Sequence, residues 1–135
     1  MTPALTRWID SKPACSILDL TKPVVLKKKY DWVLSLEVGE HIPKRYESVF
    51  VDNLHNNNKM GIVLSWAVKG QGGNGHYNEQ NYDYIKAIFE ELEYVNDKKT
   101  ENWLRANASL WWFENTIMIS LVIFEINPNS AQNVI

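Results

Sequence analysis

A single cysteine, Cys15, among 135 residues excludes an intrachain disulfide and any zinc site built from cysteines. Its flank, Ala14-Cys15-Ser16-Ile17-Leu18, suits a small buried hydrophobe rather than a nucleophile. An excess of charge is also missing. The chain has 14 basic against 16 acidic residues, so no overall field recruits nucleic acid or an anionic membrane. Lys27-Lys28-Lys29 is the one basic run, and a solvated turn between two strands accounts for it. The longest apolar stretch, around Ile117 to Phe124, is far short of a bilayer span. The first fifteen residues carry Arg7, Asp10 and Lys12 and lack the apolar centre of a secretory signal. These absences lead to the expectation of a soluble, cytoplasmic protein without a membrane partner.

Hydrophobic residues make up 45% of the chain and aromatics 12%, enough for one core and one domain. The domain is expected over residues 1–126, followed by a polar tail over 127–135. Cys15 to Leu20 suits a short strand closed by Asp19 and by Thr21-Lys22-Pro23. Trp32 to Val38 is a second strand, apolar on both sides apart from Ser35 and Glu37, a pattern that favours a parallel sheet covered on both faces. A helix is predicted from Lys44 to Asn56, because Pro43 suits a first turn and Tyr46, Val49, Phe50, Asn53 and Leu54 recur at helical spacing. Glu47 and Asp52 point away from that face. Ile62 to Ala67 reads as a third strand.

The run Gly70-Gln71-Gly72-Gly73-Asn74-Gly75 forms a flexible loop, and Ile85, Ile88, Phe89 and Leu92 mark the inner face of a second helix. Strand, helix, strand, loop, helix is the rhythm of an α/β sheet. Glu101 to Ala106 suggests one or two helical turns. Tyr94-Val95 and Thr116 to Phe124 are expected to form an antiparallel pair at one sheet edge. No internal repeat is present.

In such sheets ligands bind beyond the carboxyl ends of the strands. Asp19, the segment Glu37 to His41 and the loop Lys69 to His76 all fall on that rim. The most informative stretch is Ser35-Leu-Glu-Val-Gly-Glu-His-Ile-Pro43, where an apolar strand stops in two carboxylates and an imidazole. It resembles the segment after the fourth strand of class I S-adenosylmethionine-dependent methyltransferases. Asp19 after Ile17-Leu18 is similar to the acid at the end of their third strand, and Gly70 to Glu93 resembles their fifth-strand loop and following helix. The resemblance covers most of residues 15–125.

The resemblance implies a Rossmann-like methyltransferase sheet, with parallel strands, flanking helices and a C-terminal antiparallel pair. It implies S-adenosylmethionine as cofactor, with Asp19 and Leu20 at the adenine and Glu37 and Val38 lining the cofactor cleft. Glu40, His41 and His76 would face the methyl acceptor as the catalytic group. The spacing E-x-x-E-H also serves as a metal site in some hydroxyl-directed methyltransferases, which implies Glu37, Glu40, His41 and His76 as ligands for Mg²⁺ or another divalent ion. The alternative is that Glu40 caps the next helix while His41 packs without metal.

Residues 1–14 contain no glycine, so the glycine-rich cofactor turn of the family has no counterpart there. The expectation is a partial domain lacking the first two strands, incomplete for catalysis alone. In the family's sheet order, 3-2-1-4-5-7-6, those strands lie beside the fourth. Trp32 to Val38 would then be an open apolar edge, suited to self-association or to a partner. A non-catalytic methyltransferase remnant acting as a protein-binding or regulatory module is the second expectation.

Three further features have plainer readings. The glycine run is not followed by Lys-Ser or Lys-Thr and is no phosphate loop; a mobile lid is expected, with His76 and Asn78 able to reach substrate. His55 is expected on solvated surface. Trp66 ends a strand at the rim, where it either packs in the core or lines a pocket. The acceptor is not legible; the loops Gly70 to Asn81 and Asn102 to Glu114 are its candidate contacts.

Overall fold

The computed structural model describes residues 8–9, 12–13, 16–114 and 116–123. Two short strands, β1 (Trp8–Ile9) and β2 (Lys12–Pro13), pair antiparallel. The main sheet follows: β3 (Tyr30–Ser35), α1 (Glu47–Asn56), β4 (Asn58–Trp66), α2 (Tyr82–Glu91), β5 (Tyr94–Asn96), α3 (Lys98–Ala106) and β6 (Ile117–Ile123). Its order is β3-β4-β6-β5. β3 runs parallel to β4, and β6 runs antiparallel to both β4 and β5.

The parallel pair arises because α1 carries the chain back across one face, a crossover that a parallel connection requires. Phe50 and Leu54 from α1, and Ile85 and Phe89 from α2, pack on Ile62, Leu64, Ile119 and Leu121 of the sheet, and all eight are buried. The helical spacing seen in the sequence therefore does mark the buried faces. β6 is the long central return strand, pairing with β4 over six positions; the antiparallel pair β5-β6 forms as expected, but only β5 lies at the edge.

Residues 16–19 form no strand, which corrects the first expected element; Cys15 itself falls outside the described residues. Ile17 and Leu18 stand exposed there, at 95% and 50%, and the chain from Leu20 to Leu26 is held instead by Asn53 and Asn57. The Asn53 side chain accepts from the Val24 amide at 2.8 Å and donates to the Leu20 and Lys22 carbonyl oxygens at 3.2 and 2.9 Å. Asn57 accepts from the Leu26 amide at 3.4 Å and donates to the Val24 carbonyl oxygen at 3.0 Å. Backbone groups of Leu20, Lys22, Val24 and Leu26 are thus satisfied by side chains near the end of α1 rather than by a ladder.

β3 starts earlier than expected, at Tyr30, and ends earlier, at Ser35, because Glu37 adopts φ 53° and turns the chain out of the sheet. It is also not covered on both faces: Tyr30, Trp32, Leu34 and Leu36 are exposed at 50%, 45%, 67% and 37%. His55 is not on solvated surface but half-buried, its Nδ1 2.9 Å from the Tyr94 hydroxyl. Glu47 does not point away; it is buried. The expected tail over 127–135 lies outside the described residues. No helix among the described residues is long and apolar enough to cross a membrane.

Candidate functional site

Glu37 leaves β3 in a left-handed conformation that costs a non-glycine residue about 1 kcal/mol or more. Hydrogen bonds hold it there. Its amide donates to Ser65 Oγ at 2.8 Å, and Ser65 Oγ donates back to Glu37 Oε1 at 2.8 Å. The Thr116 hydroxyl lies 3.0 Å from the same carboxylate oxygen and 2.8 Å from the Trp66 carbonyl oxygen, and donates to one at a time. Glu37 is therefore occupied in joining β3 to β4 and to the entry of β6.

The chain then makes one tight helical turn, Gly39–His41. Gly39 is required at this point, since a Cβ there would stand 2.2 Å from the Trp66 ring. The close approach buries Glu40 completely. Neither oxygen of its carboxylate has a hydrogen-bond partner; burial, reinforced by the Glu37 carboxylate, pushes its pKa up to about 7. A buried acid without a donor is the clearest anomaly of the fold. Glu40 does not cap the following helix with its side chain: neither the turn Lys44–Tyr46 nor α1 has a side-chain N-cap.

His41 is exposed, and its Nδ1 lies 2.8 Å from the Gly75 carbonyl oxygen. That oxygen only accepts, so Nδ1 carries the proton and Nε2 is left with its lone pair when the ring is neutral. The His76 ring meets the His41 ring edge to face, centroids 5.0 Å apart at 80°. Gly75 and Gly72, with φ of 75° and 72°, bend the loop in ways other residues resist. A side chain at Gly73 would strike the His76 ring at 2.4 Å. The glycine run folds one histidine beside the other.

Asn78 anchors that loop. Its amide and that of Tyr77 donate to the Glu40 carbonyl oxygen at 2.9 and 2.8 Å, while its own carbonyl oxygen accepts from the Trp66 indole at 2.6 Å. Its side chain donates to Glu47 Oε2 at 2.6 Å and accepts from Gln80 at 2.6 Å. Trp66 is accordingly a buried support and not a pocket wall. Ser65, Thr116, Glu47 and the carbonyl role of Gly75 were not legible as site components; only the Asn78 position beside the glycine run carried a signal.

The structure thus gathers Glu40, His41 and His76, with one ligand atom from each within 4.8 Å of the others. Glu37 is outside that group. One hard oxygen donor and two imidazole nitrogens suit a divalent ion, and the unpartnered Glu40 carboxylate supplies the charge such an ion would meet. Leu20 and Val38 line one groove of about 480 Å³, together with Val33, Leu34 and Phe50. Asp19 is exposed, and its carboxylate is held below the usual range by the Thr21 hydroxyl and amide, which donate to it at 2.6 and 3.1 Å. It does not end a strand, contrary to the expectation.

A parallel pair followed by an antiparallel strand inserted before the last edge is a specific topology. The solved structure of magnesium protoporphyrin IX methyltransferase from Synechocystis PCC 6803 with bound SAH is similar to it, with a TM-score of 0.54 at 20% identity over 79% of this chain. The chain has a methyltransferase fold. It spans 49% of that solved chain, about half its length. No protein-family model matches the chain, and no curated protein matches it.

Proposed function

We propose that this chain is the acceptor side of an S-adenosylmethionine-dependent methyltransferase domain. The observation that carries the reading is the strand order β3-β4-β6-β5 with Glu40, His41 and His76 gathered just beyond the carboxyl end of β3, where sheets of this class place their chemistry. The similar solved protein has bound SAH, which supports S-adenosylmethionine as the methyl donor here. Val38 and Leu20 supply the groove beside the rim, and Asp19 adjoins it in the chain. Methyl transfer depends chiefly on in-line positioning of donor and acceptor, and the rim holds groups that orient an acceptor and take its proton.

Glu40, His41 and His76 would hold a divalent ion, and when bound it would lower the pKa of an acceptor hydroxyl. His41 Nε2 would face such an ion because Nδ1 is committed to Gly75. Glu40, whose pKa burial raises to about 7, is in its ionised form the proton-accepting group when no cation is present.

A second reading, a non-catalytic module that binds another polypeptide, is favoured by one observation, the exposed apolar side of β3. Calorimetry with S-adenosylmethionine, without and with Mn²⁺, separates the two. Saturable binding near one equivalent supports the first reading; no heat at millimolar cofactor overturns it for this chain alone and favours the second.

A further inference from the structure

We propose that the rim selects a nitrogen-seeking transition ion such as Zn²⁺, Co²⁺ or Fe²⁺ over Mg²⁺, and that His76 binds it through Nδ1, with Gly73 as the positioning residue. The ion's role there rests on the reading of this rim as the acceptor side. Its donor atoms follow from the geometry. Glu40 Oε1, Glu40 Oε2 and His76 Nδ1 are all buried and all without a hydrogen-bond partner. His41 Nε2 is the free nitrogen of a ring whose Nδ1 is held at the Gly75 carbonyl oxygen. Buried polar atoms are nearly always paired, so orphans on two members of one three-residue cluster point to a shared occupant.

The glycine loop decides which nitrogen of His76 faces that occupant. A Cβ built on Gly73 would stand 2.4 Å from His76 Nε2, and 2.5 and 2.8 Å from Cε1 and Cδ2 on either side of it. The Nε2 corner of the ring is therefore turned against Gly73. Nδ1 points the other way and is the buried, unpartnered atom. Gly73 is not among the glycines of positive φ, so its backbone admits alanine; what glycine supplies at this position is room for the imidazole.

Two neutral imidazole nitrogens and one carboxylate make a poor site for Mg²⁺, which takes oxygen ligands and gives up its waters reluctantly. Imidazole suits zinc, iron and nickel, and affinity for such donors rises along the first-row series above manganese. Donors on one such ion bond at about 2.0–2.2 Å, so the ligand atoms, within 4.8 Å of one another, close on it with small side-chain movements. The ion's charge offsets the cost of burying the Glu40 carboxylate without a partner. Three protein donors leave a position open, as in catalytic zinc sites, and an acceptor oxygen can take it.

The test is ion competition on the whole chain, with nitrogen NMR of protein carrying isotope-labelled histidine. Zn²⁺ should bind one per chain and resist Mg²⁺ at an excess on the order of a hundredfold. Its binding should shift the resonances of His76 Nδ1 and His41 Nε2 while His76 Nε2 and His41 Nδ1 stay protonated. Gly73→Ala removes no donor, yet should weaken Zn²⁺ about tenfold or more. Displacement by equimolar Mg²⁺, ligation through His76 Nε2, or parental affinity in Gly73→Ala overturns the proposal. S-adenosylmethionine bound with no ion at these atoms overturns the ion and leaves the acceptor-side reading standing; the ion bound as described, with no heat from the cofactor, does the reverse.

Discussion

His41 and His76 stand edge to face, ring centroids 5.0 Å apart, although 34 residues of sequence separate them. The contact depends on the Gly75 carbonyl oxygen, which fixes the tautomer of His41, and on glycine at position 73, which leaves room for the His76 ring. Together with the donor-less Glu40 carboxylate they form a three-ligand group.

Titration with Mn²⁺ or Zn²⁺ should therefore show one site per chain. Glu40→Ala and His76→Ala should each weaken it at least tenfold, roughly the scale on which metal sites respond to the loss of supporting groups. Calorimetry reads the affinity, and paramagnetic broadening of the His41 and His76 ring signals by Mn²⁺ reads the location. Equal affinity in both variants would remove these residues as ligands.

Gly39→Ala should destabilise the fold by about 3 kcal/mol, since overpacking typically costs about 1–3 kcal/mol and here the neighbour is the buried Trp66 ring, 2.2 Å from the new carbon. Gly70→Ala is the control. It has φ 87° with nothing within 4 Å, so only backbone strain of about 1 kcal/mol is expected. Urea melts of the two variants give the comparison.

Glu47 is buried, which raises its pKa, but donation from Asn78, from Tyr84 and from Lys44 outweighs burial and lowers it below the ordinary 4.5. Lys44 also contacts the Tyr84 hydroxyl, and that hydroxyl lies 2.5 Å from Glu47 Oε1. A depressed folded pKa means stability that is present above 4.5 and lost as pH falls through the lower folded value. Glu47→Gln should cost about 2 kcal/mol at neutral pH, on the scale of hydrogen bonds to a charged group, and the difference from the parent should shrink below pH 4.5. Thermal melts from pH 3 to 7 check it (about one measurement per pH unit suffices).

Asn53→Ala should release the segment from Leu20 to Val24 from α1 by removing its three bonds to that backbone. About 1–3 kcal/mol of stability should be lost. Hydrogen exchange at the Val24 amide should accelerate by more than tenfold relative to amides in β4, whereas uniform acceleration would show that the segment is not held locally.

Much of the fold was legible because periodicity reports burial directly. Phe50 and Leu54, Ile85 and Phe89, and the run Ile62 to Trp66 all lie where a helix face or a doubly buried strand requires them. The first expected strand failed for a reason periodicity does not carry. Cys15 to Leu20 is apolar enough for a strand, but Ile17 and Leu18 stand exposed, and the chain that follows, from Leu20 to Leu26, is held by Asn53 and Asn57, more than 25 residues later. His55 and Glu47 were misplaced because half-burial of the one and burial of the other depend on partners distant in sequence, Tyr94 and Asn78.

The sequence by itself determined the types of the elements from β3 to β6, the parallel β3-β4 pair implied by an apolar strand, crossover helix and strand, and the candidacy of Glu40, His41 and His76, because residue chemistry and local periodicity act over a few positions. Only the tertiary structure decided that Glu37 is tied to Ser65 and Thr116 rather than free, that Glu40 is buried without a donor, and that β3 keeps one apolar face open. These are matters of which groups meet across the sheet. Close packing and hydrogen bonding between remote segments settle them, and no local pattern encodes which remote partner arrives.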